Sequence, residues 1–142
     1  MPEYTSNPIQ TVAAGANVLF TETPVRCTKG LVVHREGSGL FTLRGITDCP
    51  NKCFKRYRVS FGGNIAVPTG GTVEAINVAL AINGEGIASN TAIYTPAAVD
   101  TYGNVYVSAY ISVPRGCCYT VSVKNTSTQP INVQNANLII EG

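Results

Sequence analysis

Apolar and polar residues alternate strictly along residues 104–113. Valine, alanine and isoleucine occupy the odd positions, and Tyr106 and Tyr110 are among the even ones. Alternation with a period of two is typical of a β-strand that buries one face. Two more strand patterns, separated by turn residues, follow as far as Ile140. The last third of the chain therefore predicts three consecutive strands.

Shorter patterns of the same kind recur through the rest of the chain. Residues 57–67 predict a long strand, Gly45 predicts a strand end or a bulge, and Asn83-Gly84 predicts a two-residue hairpin turn. The apolar parity changes between Ala75 and Ile76 and again between Val133 and Ala136, which predicts a β-bulge in each strand. No segment has the pattern of an amphipathic helix of ten or more residues. The spacing predicts an all-β sandwich or barrel of about ten strands.

The length of 142 residues is that of one domain. Because Pro2 and Pro8 flank a stretch with little to bury, we expect residues 1–8 to be an N-terminal arm and residues 9–142 to form a single domain. Charged residues make up 13% of the chain, about half the usual share. A surface with so few charges suits a protein whose faces are covered by copies of itself.

The start of the chain lacks the positive segment and the apolar run of a signal peptide, and no stretch reaches the length of a membrane span. We therefore expect synthesis in the cytoplasm without a signal peptide, and no insertion into a membrane.

Positive charge is concentrated in the first half of the chain, where a basic loop is predicted. Residues 1–71 contain eight Lys or Arg and four Asp or Glu. A nucleic-acid-binding domain would have a much larger excess, so we expect no nucleic-acid partner. A solvated loop or a contact with an acidic partner surface explains the cluster better. Its members are Lys52, Lys55, Arg56 and Arg58.

Five cysteines are the most specific chemical feature, and three interpretations remain open. Cys49 and Cys53 could form a zinc site with Cys27 and His34, although their spacing is looser than that of a CxxC pair. Cys27 could form a disulfide with Cys49 or Cys53, which leaves an odd thiol free or paired with another subunit. Most of the cysteines could also be small buried hydrophobic residues. We predict no metal and no cofactor.

Cys117 and Cys118 are adjacent, and neighbours on a strand point to opposite faces. From the parity of the following residues, Cys117 is predicted to point inward and Cys118 outward, where it could reach a subunit boundary. All five cysteines are candidate disulfide or thiol residues.

No catalytic arrangement is visible in the sequence. A catalytic pair of His34 and a cysteine would need a third group to orient the histidine, and none is evident. No phosphate-binding glycine loop precedes a helix. We therefore predict that the protein is not an enzyme.

Tyr106 and Tyr110 lie opposite the apolar parity of their strand, where a monomeric sandwich would carry Lys, Glu or Thr. Tyrosine is enriched in interface cores, so both residues are predicted to lie at a subunit interface.

The order of these elements resembles a known family. A glycine-rich turn leads into an apolar strand (GSGLFTLR, 37–44), long strands follow, a Pro-Arg-Gly turn begins at Pro114, and the last strand ends with ANLII (136–140). This order resembles the tumour-necrosis-factor-like and complement-globular-head jelly rolls, and it is similar to bacterial spore-surface glycoprotein tips. The resemblance implies a two-sheet antiparallel jelly-roll sandwich of about ten strands. It also implies a compact trimer with Tyr106 and Tyr110 at the subunit interface.

Residues 7–24 and 125–138 also resemble small structural proteins of gut Firmicutes and their phages. We therefore expect a trimeric decoration or head-fibre component of a phage particle, attached to the capsid through residues 1–8 and located on the virion surface. An alternative is a self-assembling subunit of a bacterial spore or cell-surface appendage with intersubunit disulfides. A further alternative is a glycan-binding surface module that uses loops at one end of the sandwich.

Overall fold

The computed structural model describes residues 2–25, 30–46 and 53–141, and within these ranges the chain forms eleven β-strands and no helix. The strands are β1 (Glu3–Ser6), β2 (Gln10–Val12), β3 (Glu22–Val25), β4 (Val32–His34), β5 (Phe41–Arg44), β6 (Phe54–Ala66), β7 (Ile76–Ile82), β8 (Glu85–Tyr94), β9 (Gly103–Pro114), β10 (Cys118–Asn125) and β11 (Ile131–Glu141). The described part of the chain contains no helix that is long and apolar enough to cross a membrane.

The strands form two antiparallel sheets. The six-stranded sheet has the order β3-β1-β11-β6-β9, with β2 also paired to β11, and the five-stranded sheet has the order β4-β5-β10-β7-β8. Some strands that follow each other in the chain, such as β9 and β10, belong to different sheets, whereas β4 and β5, and β7 and β8, are hairpins within the five-stranded sheet. This arrangement confirms the predicted all-β, two-sheet jelly roll.

The core lies between the inner faces of the two sheets. The ring of Phe20 contacts that of Phe41 with centroids 5.4 Å apart, and it contacts that of Phe61 at 6.4 Å. All three side chains are fully buried, and each buried side chain of this size stabilises the fold by about 2–3 kcal/mol. The alternation predicted for residues 57–67 and 104–113 supplies the inward side chains of β6 and β9.

Two local features predicted from the sequence are confirmed, a hairpin turn and a β-bulge. Asn83 and Gly84 form the β7–β8 hairpin turn with φ of 53° and 86°, the pair of positive values that a type I′ turn requires. The register of β11 against β6 shifts between Gln134 and Asn137, where a bulge was predicted.

The bulge predicted between Ala75 and Ile76 is wrong. Strand β7 begins at Ile76, and its irregularity against β8 lies between Ala79 and Ala81. The change of parity at Ala75 therefore marks the start of the strand, because residues before it do not alternate between two faces.

The predicted N-terminal arm is also wrong, because Glu3–Ser6 is strand β1 of the six-stranded sheet. It pairs with β11 on one side and with β3 on the other. Tyr4 is only 3% exposed, and its ring lies 4.7 Å from those of His34 and Phe41 in the opposite sheet. A four-residue strand with one large apolar side chain gives little periodic signal, so only tertiary pairing identifies it.

Tyr4→Ala should lower the free energy of unfolding by about 3 kcal/mol, because it removes a large buried aromatic side chain. Urea unfolding followed by circular dichroism measures this loss. Ile9→Ala is the control, since Ile9 is 55% exposed and its truncation should change stability by less than about 0.5 kcal/mol. An equally small effect of both substitutions would show that β1 is not part of the core.

Candidate interaction surface

The outer face of the six-stranded sheet carries the two predicted tyrosines. It is built from every second residue of four neighbouring strands, whose alternate residues fill the core. We call this surface the tyrosine face. Its residues are Glu3 and Thr5 on β1, Arg56, Arg58, Ser60, Gly62 and Asn64 on β6, Asn104, Tyr106, Ser108, Tyr110 and Ser112 on β9, and Asn137, Ile139 and Glu141 on β11.

Small residues leave the two tyrosine rings prominent on this face. Tyr106 is paired in register with Gly62, and a Cβ atom at Gly62 would lie 3.7 Å from the Tyr106 ring. Ser108 separates the two tyrosines and lies 3.2 Å from Ser60, oxygen to oxygen. Tyr106 is 60% exposed and Tyr110 is 72% exposed, so both rings present apolar area to the outside.

Neighbouring polar side chains act on the exposed phenol of Tyr106. A hydrogen bond with Ser60 lowers the pKa of this phenol, desolvation opposes that effect, and Ser108 and Arg58 add to the lowering. Arg58 also donates from Nε to the Ser108 hydroxyl at 3.4 Å. The hydroxyl of Tyr106 therefore lies near polar side chains, whereas its ring is largely exposed.

Cys118 does not lie on the tyrosine face. It is exposed, as predicted, but it begins β10 in the five-stranded sheet, where it pairs with Arg44. The expectation that it adjoins the tyrosines is wrong, because the chain changes sheets between β9 and β10. Cys117 is also exposed and lies before the strand, so the prediction that it points inward is wrong. Strand parity does not apply to a residue in the preceding turn.

The predicted basic loop is partly a strand. Lys55, Arg56 and Arg58 belong to β6, and Lys52 lies outside the described residues. Arg56 and Arg58 are on the tyrosine face, where they pair in register with Ser112 and Tyr110. This placement was missed, although the parity of residues 57–67 already put Arg58 on the face opposite Tyr57.

Cys53 is a free, exposed thiol, as are Cys117 and Cys118. Cys27 and Cys49 lie outside the described residues. His34 packs by stacking on Phe41 at 4.2 Å, and its Nε2 lies 2.8 Å from the carbonyl oxygen of Ser38. In the part of the chain that the structure describes, no three His, Cys, Asp or Glu side chains are placed to hold a metal ion.

Comparison with solved structures identifies the fold, whereas comparison of sequences identifies no family. No protein-family model matches the chain, and no curated sequence matches it significantly. The globular domain of the zebrafish complement 1qA protein superposes with a TM-score of 0.63 at 10% identity, over 97% of this chain and 94% of that chain. Murine APRIL superposes with a TM-score of 0.57 at 10% identity, over 96% of this chain and 97% of that chain. The fold is therefore a jelly roll of the tumour-necrosis-factor-like and complement-globular-head type.

Proposed function

We propose that this protein is a non-enzymatic structural protein that assembles with copies of itself through the tyrosine face. The exposure of Tyr106 and Tyr110 on a regular sheet carries this proposal. Tyrosine gives a large contact area at a low cost in conformational entropy and is enriched among residues that dominate binding energy. Flanking serines and Arg58 supply a polar surround of the kind that borders an interface core.

In its finer form, the proposal is a homotrimer that decorates a phage particle, as a capsid decoration or head fibre on the virion surface. The compact trimer implied by the family resemblance supports this form, as does the low share of charged residues. Residues 3–6 are held in the sheet as β1, so attachment to a capsid would use another surface.

Light scattering after size exclusion tests the proposal. We expect the wild-type protein to elute as a trimer of about 45 kDa, three times the 15.0 kDa of one chain. The double variant Tyr106→Ser/Tyr110→Ser should elute as a folded monomer, because truncation of each interface anchor costs about 2 kcal/mol or more. Ile93→Ser is the control, since Ile93 is 66% exposed and lies in the five-stranded sheet.

A monomeric wild-type protein would contradict self-association. An unchanged trimer in the double variant would instead contradict the assignment of the tyrosine face. Thermal unfolding of each variant separates both outcomes from loss of fold, because neither tyrosine belongs to the core.

The spore or cell-surface appendage is a second candidate, and the exposed thiols of Cys53, Cys117 and Cys118 favour it. Intersubunit disulfides would give multimers that survive boiling without reductant and disappear with it. A ladder of this kind on a denaturing gel would favour the appendage over a discrete decoration trimer. Binding on a glycan array that is lost in the double tyrosine variant would instead favour a glycan-binding module.

A further inference from the structure

The two ends of the sandwich differ in charge. We call residues 44–46, 53–56 and 114–118 the cysteine pole, and residues 67–75, 95–103 and 126–130 the loop pole. Strand β6 runs from one pole to the other, since Phe54 pairs with Pro114 and Ile65 pairs with Gly103. A strand of 13 residues separates the poles by about 40 Å.

Backbone hydrogen bonds draw the three segments of the cysteine pole together. The N–H of Arg115 donates to the carbonyl oxygen of Cys53 at 2.9 Å, and the N–H of Gly45 donates to that of Cys117 at 2.8 Å. The N–H of Gly116 returns a bond to Gly45 at 3.0 Å. Segments that are far apart in sequence are thus joined by hydrogen bonds into one surface.

This surface carries positive charge. Arg44 and Arg56 are exposed and Lys55 is half-buried, and the guanidinium of Arg56 lies 5.5 Å from the centre of the Phe54 ring. Strand β11 ends at Glu141, which pairs with Arg58. Arg56 therefore lies beyond the end of β11, two residues past that pair. Arg44 lies on the outer face of the five-stranded sheet and Arg56 on that of the six-stranded sheet, so their charges lie on the two sides of the cysteine pole, with Lys55 next to Arg56 in the chain.

The loop pole carries the opposite charge. Residues 59–114 contain no Lys or Arg, and residues 126–130 contain no charged residue. Glu74 accepts hydrogen bonds from Thr128 and Gln129. The backbone N–H of Asp100 donates to the carbonyl oxygen of Val67 at 2.8 Å, and its carboxylate accepts a hydrogen bond from the hydroxyl of Thr69. Both carboxylates are exposed and held in place by neighbouring loops.

We propose that copies of the chain stack head to tail, with the cysteine pole of one copy on the loop pole of the next. The two surfaces are complementary in charge, and each adds exposed apolar area, from Ile46 and Phe54 on one side and from Val73 and Val99 on the other. Contact between two cysteine poles would bring like charges together. A head-to-tail contact leaves one free pole at each end, so it generates an open filament.

This inference goes beyond the proposed function, because the contact needs neither Tyr106 and Tyr110 nor a trimer; it shares only Arg56 with the tyrosine face. It is tested in the Tyr106→Ser/Tyr110→Ser background with a reductant present, so that lateral association and disulfides make no contribution. Sedimentation velocity over a range of concentrations measures the assembly. At about 10 mM ionic strength the Debye length is about 30 Å, and the weight-average mass should rise with concentration. At about 1 M ionic strength, where the Debye length is about 3 Å, the weight-average mass should no longer rise with concentration.

Charge-neutral variants identify the two poles. Arg44→Gln/Arg56→Gln removes charge from the cysteine pole, and Glu74→Gln/Asp100→Asn removes it from the loop pole with nearly isosteric side chains. Each variant should lose the rise in mass at low salt. Arg35→Gln/Glu36→Gln is the control, because both exposed residues lie in the β4–β5 turn, outside the segments that form the two poles, and this variant should stack like the parent.

Mixing the two pole variants tests the orientation. Each retains one intact pole, so an equimolar mixture should form dimers of one copy of each and stop there. A variant that lacks loop-pole charge but still associates with itself would overturn the head-to-tail contact. A mass that does not rise at low salt, or a mixture that forms no dimers, would overturn it as well.

Labelling of the thiols with a maleimide gives a second readout. Cys53, Cys117 and Cys118 lie in the cysteine pole and are exposed in the single chain. Their labelling should slow as the stacked fraction rises at low salt, and it should stay fast in the loop-pole variant. Labelling that is equally fast in stacked and unstacked samples would place the contact elsewhere.

Discussion

Gly45→Ala should remove most of the stability of this protein. A Cβ atom at Gly45 would lie 2.0 Å from the carbonyl oxygen of Pro114 and 3.0 Å from that of Cys117. Both obstacles are backbone atoms, and hydrogen bonds between Gly45 and the Pro114–Cys117 turn hold them in place. We expect a loss of more than about 4 kcal/mol, in the range where single substitutions are exceptional.

Gly86→Ala is the matched control for this experiment. Gly86 lies in β8, and a Cβ atom there would meet its nearest neighbour, Thr126, at 3.4 Å, which is an ordinary contact. Its stability should change by less than about 1 kcal/mol and could increase, because alanine reduces the freedom of the unfolded chain. Thermal and urea unfolding measure both variants. A well-folded Gly45→Ala protein with wild-type stability would show that β5 and the turn before β10 are not packed this closely.

Asn125→Asp should destabilise the protein by about 3–5 kcal/mol at neutral pH, because a buried charge without an opposite charge beside it costs at least as much as a broken buried pair. The Asn125 side chain is fully buried. Its Nδ2 donates to the carbonyl oxygens of Val12, Ala13 and Gln129 at 3.0, 3.3 and 3.1 Å, and its Oδ1 accepts from the N–H of Ser127 at 2.9 Å. Aspartate would lose both N–H donors and place a carboxylate among three carbonyl oxygens.

The pH dependence of this loss separates charge from shape. A protonated Asp side chain regains one donor, so the deficit relative to the wild type should shrink as the pH falls. Asn7→Asp is the control, because Asn7 is exposed and the same change should alter stability by less than about 0.5 kcal/mol. A deficit that is equal for the two variants, or independent of pH, would contradict the role of Asn125 as a buried polar link between β2, β10 and the turn before β11.

Neither site could be assigned from the sequence, although both residues were visible in it. Gly45 was predicted to end a strand, and it does follow β5. The reason why no side chain fits there is the approach of a turn that begins 69 residues later. Asn125 occupies an inward position of β10 among valines, where a polar residue breaks the apolar pattern. Two of its four partners, the carbonyl oxygens of Val12 and Ala13, come from a distant segment that only the tertiary structure places beside it.

The sequence by itself determined the features that depend on neighbouring residues. Alternation along β6 and β9 fixed which side chains face the core and which form the tyrosine face, because successive residues of a strand point in opposite directions. Asn83-Gly84 fixed a hairpin turn, because few residue pairs adopt two positive φ angles. The break of parity in β11 fixed its bulge.

Only the tertiary structure decided what depends on distant residues. It placed Tyr4 in the core as part of β1, moved Cys118 to the other sheet, and brought Arg58 next to the tyrosines. It also gathered positive charge at one pole and left negative charge at the other. Strand pairing in a jelly roll joins segments far apart in the chain, and local periodicity contains no information on which segments meet. The faces of each strand were therefore predictable, whereas the surfaces that the strands build together were not.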